Sequence, residues 1–175
     1  MEAFDIYDIN RIRTGRTAVR GDALKNGEFR LVVHVCIFNS RGELLIQRRQ
    51  STKNTWADLW DVSVGGGALA GECSTEAAER ETEEEIGLKI DLHGQRPRMT
   101  VNFREGFNDV YIVRKDVRLE DLILQEDEVS DVKWADQETI LQMIDRKEFI
   151  PYYKGFIQWI FEAQVPRALF DANRS

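Results

Sequence analysis

Residues 66–88 read GGALAGECSTEAAERETEEEIGL, with a glycine-rich start and a glutamate-rich finish. On a helix, Glu81, Glu84 and Glu85 stand at spacings of i, i+3 and i+4, so the three carboxylates share one face. Like charges at these spacings oppose helix formation by about 0.2–0.5 kcal/mol per pair. The cluster therefore indicates a bound cation, and grouped oxygen ligands suit Mg²⁺ or Mn²⁺. An ordinary solvated acidic face is the alternative explanation of the glutamates alone.

The same stretch predicts a helix over residues 73–86 whose other face packs on a sheet. Ala78, Thr82 and Ile86 recur every four residues and form a small, mostly apolar row. Gly87 follows as a suitable left-handed residue to end the helix. One helix thus offers an apolar face for packing and an acidic face for a metal ion.

A glycine-rich loop is predicted at 65–71, immediately before this helix, with Ser74 or Thr75 as the helix cap. Glycine lets the backbone approach a ligand closely and expose its amides to anionic oxygen atoms. Gly66 and Gly67 are therefore candidate substrate-binding residues.

Outside this region, apolar alternation and turn residues predict further elements. Segments 11–29 and 56–64 are predicted to be mainly loop, each with one short strand. Strands are predicted at 4–9, 31–38, 43–49, 88–92, 99–103, 110–113 and 129–135, and helices at 136–145 and 152–163, the latter within a C-terminal helical segment of about 150–165. This mixture predicts a mixed sheet with a few helices, in an α+β or α/β sandwich.

Length and composition favour one domain over residues 1–175, with an N-terminal extension at 1–29 and a core at about 30–145. The net charge of -7 argues against binding to nucleic acid polymers or anionic membranes through the overall field. No apolar run approaches the roughly 18 residues of a membrane span, and the acidic N-terminus is unlike a signal peptide. We therefore expect a cytoplasmic protein. The N-terminal segment could extend a sheet or exchange between subunits, which leaves a homodimer open.

The spacing of fixed residues in the opening stretch resembles the Nudix box. That pattern runs Gly, five residues, Glu, seven residues, Arg-Glu, an apolar residue, any residue, Glu-Glu, any residue, Gly and an apolar residue. The matching positions are Gly66, Glu72, Arg80, Glu81, Glu84, Glu85, Gly87 and Leu88. Thr82 departs from the pattern, since an aliphatic residue is usual there, but its hydroxyl can bond back to the Ala78 carbonyl. The resemblance covers roughly residues 30–145 and implies the MutT-like Nudix α/β/α sandwich around a mixed sheet.

The resemblance also implies an activity, the Mg²⁺-dependent hydrolysis of a diphosphate linkage in a small phosphorylated molecule, with Mn²⁺ as an alternative ion. Glu81, Glu84 and Glu85 would bind the metal, and the backbone carbonyl of Gly65 would be a further ligand. Arg80 and Glu72 would hold the carboxylates in place through charge-assisted hydrogen bonds.

The general base is open between two carboxylates. Glu84 is the candidate inside the box, and Glu128 is the alternative outside it, because family members often place a functional acid in that loop. Arg49 could reach a phosphate, and Phe103 could line the substrate pocket. No motif selects a substrate, and a nucleoside diphosphate derivative is only a first guess.

Two other functions compete with hydrolysis. The chain also resembles isopentenyl-diphosphate isomerases, which share the fold, but those enzymes need a cysteine and a metal-binding histidine just before the box. Gly65 and Gly67 stand at those positions here. A non-catalytic nucleotide-binding Nudix module is the second alternative, although such modules usually lose box glutamates.

Overall fold

The computed structural model describes residues 2–164. Its strands are β1 (Ala3–Tyr7), β2 (Arg13–Val19), β3 (Arg30–Phe38), β4 (Leu44–Arg49), β5 (Trp60–Asp61), β6 (Val64–Gly67), β7 (Met99–Phe103), β8 (Gly106–Arg114) and β9 (Val129–Ala135). Its helices are α1 (Ser74–Ile86), α2 (Gln137–Asp145) and α3 (Lys154–Ala163), with a short 3-10 turn at Leu119–Asp121.

A mixed seven-stranded sheet forms the centre of the molecule. Strands run in the order β5-β4-β3-β8-β7, while β9 pairs with β4 and β6 pairs with β3. The β3–β8 pair is parallel along its whole length, and the other pairs are antiparallel. Because β8 occupies one side of β3, both β4 and β6 must lie on its other side. β6 pairs along Val32–Val35, whereas β4 meets β3 only at Phe38, so the two strands diverge from β3.

Two apolar layers cover the two faces of this sheet. Side chains alternate along β3, which lets one strand serve both layers. Val33 and Val35 pack with Ile86 of α1 in the first layer. Cys36 and Phe38 pack in the second layer, together with apolar residues of α2 and α3. This arrangement is the predicted α/β fold, a mixed sheet between helices.

The N-terminal residues form a separate two-stranded antiparallel sheet from β1 and β2. β2 is seven residues long, so the 11–29 segment is more regular than predicted. The amide of Ala70 donates to the Ala3 carbonyl over 2.8 Å, and Tyr7 exchanges backbone hydrogen bonds with Phe29. The hairpin is therefore bound both to the start of the central sheet and to the segment that precedes α1.

Some predicted elements match the structure and others do not. The predicted strands 99–103 and 129–135 have the bounds of β7 and β9, and α2 spans nearly the predicted residues. The predicted strand at 88–92 is wrong: its alternate apolar residues pack on the first layer, but the segment pairs with no strand in the described chain. The predicted loop at 65–71 begins inside β6, because its glycines pair with β3.

The C-terminal helix starts later than the predicted 150–165 segment, at Lys154. Pro151 and the residues up to Tyr153 precede it without helical structure. The tail after residue 164, predicted to fray, lies outside the described residues. Within 2–164, no helix is long and apolar enough to cross a membrane.

Candidate active site

Helix α1 is stabilised at both ends and along its packed face. Its N-cap is Cys73, one residue earlier than predicted, and the Cys73 amide donates to the Glu76 carboxylate over 2.7 Å. Gly87 ends the helix with a left-handed φ of 68°, as predicted. The Thr82 hydroxyl donates to the Ala78 carbonyl over 2.6 Å, so this buried polar group has a partner. The departure from an aliphatic residue is thereby accommodated.

Arg80 lies at the centre of the acidic face. Its guanidinium donates to both carboxylate oxygens of Glu72, at 2.7 and 3.0 Å, and to the Gly67 carbonyl at 2.9 Å. It also contacts Glu81 at 3.1 Å and Glu84 at 2.8 Å. Burial opposes the charge of Arg80, but these carboxylates outweigh it and raise the pKa of the guanidinium. Arg80 thus connects three box glutamates to the strand before the helix.

Glu85 lies in a very different environment from its neighbours. It is buried, and its carboxylate accepts a hydrogen bond of 2.9 Å from the Gln47 amide. Burial raises the pKa of Glu85 to about 8, and the nearby carboxylates of Glu81, Glu128 and Asp61 add to that rise. Burial also raises the pKa of Glu81, although Arg80 opposes this. Ionisation of these two box carboxyl groups therefore costs free energy in the folded chain.

The glycines of β6 allow two side chains to approach the backbone closely. A Cβ atom at Gly66 would lie 2.1 Å from the Glu81 carboxyl carbon, so only glycine fits while Glu81 keeps its place. A Cβ atom at Gly65 would lie 3.0 Å from the His34 ring. Gly67 has open space at the same position. These glycines were predicted from the sequence to contact the metal ion or the substrate. The structure adds that Gly65 and Gly66 also leave room for the packing of His34 and Glu81.

The acidic face has the donor chemistry of a divalent-cation site. Glu85 is desolvated and Glu81 is nearly so, and a hard cation would offset the repulsion between such carboxylates. Among residues 2–164, no three His, Cys, Asp or Glu side chains meet in an arrangement that would hold an ion as they stand. Glu84 instead faces Arg80, and Glu85 faces Gln47. The residues fit the ion chemically, and binding would exchange these contacts for metal ligation.

A cavity of about 470 Å³ opens beside the glycines of β6. Its floor is one face of the sheet, because paired residues on neighbouring strands point the same way. The register pairs Asn108 with Val32 and Val32 with Gly67, and it pairs Val101 with Asn108. The N-terminal hairpin adds Phe4 to the wall. The cavity therefore draws on both sheets.

Two of the predicted substrate-binding side chains line this cavity. Arg49 donates to the Thr55 carbonyl over 3.3 Å and lies 3.7 Å from the Asp61 carboxylate. Phe103 lies under the Arg30 guanidinium, 5.9 Å from ring centroid to Cζ. Both residues thus belong to the cavity wall, where Arg49 is itself a cation beside Asp61 and Phe103 has the cation of Arg30 beside its ring.

Glu128, the alternative base, does not line the cavity. It is ion-paired with Lys53 and lies close enough to Glu85 to raise its pKa. Glu72 and Arg80 lie on the other side of β6, with the box carboxylates.

Several cavity residues were not singled out for function from the sequence. Both ring nitrogens of His34 have hydrogen-bond partners, and its side chain also lines the cavity. Alternation along β3 could have placed Arg30 and His34 on one face. No sequence signal connects His34 to Tyr152, which lies 118 residues later.

Comparisons with known proteins agree on one family. The NUDIX domain model matches residues 28–160. A Listeria monocytogenes protein, described as an uncharacterised Nudix hydrolase, is 47% identical over 161 residues and spans 92% of this chain and 94% of its own. An Escherichia coli isopentenyl-diphosphate isomerase is 33% identical over 62% of this chain and 63% of its own.

Solved structures resemble the whole fold. A Deinococcus radiodurans crystal structure superposes with a TM-score of 0.74 and 28% identity, covering 92% of this chain and 98% of its own. A MutT protein from Methanosarcina mazei has a TM-score of 0.57 and 25% identity, covering 77% of this chain and 94% of its own.

Proposed function

The chain belongs to the Nudix hydrolase family, and from this premise we propose that it hydrolyses a diphosphate bond in a small phosphorylated molecule with the help of Mg²⁺. The observation that carries the proposal is the contact of Arg80 with three box glutamates, directly across β6 from a cavity of substrate size. Glu81, Glu84 and Glu85 would hold the ion, with the carbonyl of Gly65 beside them.

Each side chain of the box has a proposed task. A bound Mg²⁺ or Mn²⁺ would offset the charge on the diphosphate oxygens and orient a water molecule. Arg80 holds the carboxylates of Glu81 and Glu84 in place, and Glu72 in turn fixes the guanidinium of Arg80 through paired hydrogen bonds. Glu84, which is half-exposed, accepts the proton of the attacking water. Water attacks one phosphorus atom, and a phosphate-bearing group leaves.

The cavity suits a phosphorylated molecule with a polar or planar remainder. Arg49 supplies a cation at the wall, and the aromatic rings of Phe103 and Trp56 offer stacking surfaces. Backbone amides near Gly66 and Gly67 can approach phosphate oxygens without side-chain obstruction. A nucleoside diphosphate derivative fits these features.

The geometry disfavours the isomerase alternative. The cysteine and histidine of isomerases would replace Gly65 and Gly67, and a glycine has no side chain to transfer a proton or bind a metal. A side chain at Gly65 would also press on His34, so this site is built around the glycine. The non-catalytic alternative is disfavoured because every box glutamate is present and Arg80 contacts three of them, Glu72, Glu81 and Glu84.

Product analysis with matched variants tests the proposal. Purified protein with Mg²⁺ or Mn²⁺ is assayed against nucleoside di- and triphosphates, nucleotide sugars, ADP-ribose, dinucleoside polyphosphates and prenyl diphosphates. Glu84→Gln should lower turnover about 100-fold or more, with little change in melting temperature. Glu83→Gln is the control, since Glu83 is 54% exposed against 53% for Glu84 and pairs instead with Lys89.

Three outcomes would count against parts of this proposal. Binding without any product would favour the non-catalytic module, and conversion of isopentenyl diphosphate to its isomer would favour the isomerase. If Glu84→Gln retained turnover while Glu128→Gln lost it, Glu128 would be the base.

A further inference from the structure

A chain of hydrogen bonds crosses the floor of the cavity, away from the acidic box. The Tyr152 hydroxyl donates to the Asp61 carboxylate over 2.7 Å and lies 3.1 Å from Nε2 of His34. Nδ1 of His34 lies 2.6 Å from the side-chain nitrogen of Asn108. The four residues come from β5, the segment before α3, β3 and β8.

The direction of each hydrogen bond follows from the charge at one end. Asp61 is buried, also accepts from the Val62 amide over 2.8 Å and faces Arg49, which suits the ionised, accepting form. Burial and the Asp61 charge raise the pKa of Tyr152 well above its usual value, so its hydroxyl stays protonated. The single O–H of Tyr152 donates its hydrogen bond to Asp61.

The histidine and the amide are then fixed in turn. Tyr152 must therefore accept from His34, which places a ring proton on Nε2. The amide nitrogen of Asn108 faces Nδ1 and can only donate, so Nδ1 is the acceptor. The amide oxygen of Asn108 must therefore point the other way.

That oxygen has no hydrogen-bond partner among residues 2–164, although it is buried and Asn108 lines the cavity. The Nε atom of Arg30, on the neighbouring strand and in the same cavity wall, is the second buried side-chain atom without a partner in that range. Buried polar groups are normally paired, and ligand pockets place a few polar groups in a mainly apolar wall, so an unpaired polar atom at a cavity wall is a candidate ligand contact. The wall thus presents one acceptor and one donor.

We propose that Asn108 is a specificity-determining residue, whose amide oxygen accepts a hydrogen bond from an N–H or O–H group at the non-reacting end of the substrate. Asp61, Tyr152 and His34 are positioning residues that fix the direction of the amide. The identity of the substrate in this inference rests on the proposed hydrolase function. The hydrogen-bond chain does not, because it is a feature of the structure alone. It implies that substrates with a hydrocarbon end, such as prenyl diphosphates, are disfavoured because they leave this acceptor unpaired.

Substrate selectivity gives the first test. Asn108→Leu should weaken binding of a nucleoside diphosphate about 10-fold to 100-fold, as a raised KM with kcat within a few-fold. Its preference for nucleoside over prenyl diphosphate should shrink by the same factor. Asn102→Leu is the control, because Asn102 is an exposed residue of β7 whose alternation directs it away from the cavity floor. Equal KM values for Asn108→Leu and wild type would overturn the proposal.

Binding without turnover separates this proposal from the hydrolase proposal. Calorimetric titration with an α,β-methylene nucleoside diphosphate should show the same loss of affinity in Asn108→Leu. If wild-type protein binds the analogue but releases no product from any substrate, the hydrolase proposal fails and the role of Asn108 still stands. Equal affinities for the analogue would remove that role even in an active enzyme.

The tautomer of His34 gives a further test, because a variant that only affects folding would not change which ring nitrogen carries the proton. The chain has two histidines, so nitrogen-detected NMR resolves His34 with His93 as an internal reference. The expected wild-type spectrum shows His34 protonated on Nε2 alone. Tyr152→Phe should mix the two tautomers and lower analogue affinity about 3-fold to 10-fold. Tyr153→Phe, at a side chain that is 90% exposed, should change neither. Protonation on Nδ1 in the wild type would overturn the assigned chain before any variant is made.

Discussion

At the scale of single residues, the adjacent glutamates Glu84 and Glu85 of the box differ in exposure and in hydrogen-bond partners. Glu84 is half-exposed and paired with Arg80, while Glu85 is buried with only an amide partner. A raised pKa means that the folded chain prefers the protonated carboxyl. Ionisation of Glu85 is therefore unfavourable in the folded state. The free energy of unfolding falls as the pH rises from the ordinary glutamate pKa, about 4.3, to the folded-state pKa of about 8.

Glu85→Gln should consequently stabilise the metal-free protein, and the gain should grow with pH. We expect little difference at pH 5 and a gain of roughly 1–4 kcal/mol at pH 9, because glutamine keeps the shape and removes the buried charge. The free energy of unfolding in denaturant, measured with a chelator from pH 5 to 9, checks this. Glu83→Gln should track the wild type throughout, and parallel curves for Glu85→Gln would contradict the assignment of the buried charge.

The sequence predicted part of this residue-level arrangement. Helical spacing placed Ala78, Thr82 and Ile86 on the packed face and Gly87 at the stop, since these follow from local geometry alone. It could not predict that Gln47 meets Glu85 or that Tyr152 meets His34. Such contacts depend on how distant strands and segments assemble, and one sequence holds no record of them.

At the scale of elements, the N-terminal hairpin is joined to the central sheet through a buried carboxylate. Asp109 of β8 is fully buried and accepts from the Arg11 guanidinium at the hairpin turn. The Arg11–Asp109 pair is bidentate, and the hydroxyls of Ser74 and Thr100 donate to the same carboxylate at 2.5 and 2.6 Å. Asp109 therefore connects the hairpin, the first turn of α1 and β7.

Arg11→Ala should loosen this connection, because it removes the cation from a buried carboxylate. We expect a loss of about 2–4 kcal/mol, less than for an isolated buried pair since two hydroxyl donors remain. Denaturant unfolding gives the magnitude, and hydrogen exchange should show faster exchange in β1 and β2.

Arg20→Ala is the matched control at the other end of the hairpin. Its ion pair with Glu2 is 70% and 61% exposed, and such pairs contribute at most about 1 kcal/mol. Equal losses for Arg11→Ala and Arg20→Ala would show that the Asp109 cluster does not hold the hairpin.

Strands were predicted correctly where a segment with alternating apolar residues also has a neighbouring strand to pair with. The 88–92 segment has the alternation of a strand, and Leu88, Ile90 and Leu92 do pack inward. Alternation reports burial, however, and a strand also needs a neighbour; here the Leu92 amide bonds to the Glu79 carboxylate instead. The glycines of β6 were predicted as loop because their pairing with β3 is invisible in composition.

At the scale of the whole molecule, the site arises where β4 and β6 diverge from β3. One side of β6 faces the acidic surface of α1, and the cavity opens at its other side, so a substrate could present its phosphates to one and its remainder to the other. The family model begins at residue 28, yet the N-terminal hairpin also borders this cavity. The fold class was therefore predictable from the box, whereas the complete cavity was not.

A divalent ion should stabilise the entire fold if the box binds it as proposed. Mg²⁺ at about 100 times its dissociation constant adds about 2.7 kcal/mol, which for a chain of this length raises the melting temperature by roughly 5–10 °C. The rise should be larger at pH 8.5 than at pH 6.5, since below about pH 8 the ion must displace a proton from Glu85. Thermal unfolding with and without chelator measures both effects. Glu83→Gln should keep the full rise in melting temperature, whereas Glu81→Gln and Glu85→Gln should lose most of it. An undiminished rise in Glu81→Gln and Glu85→Gln would place the ion elsewhere.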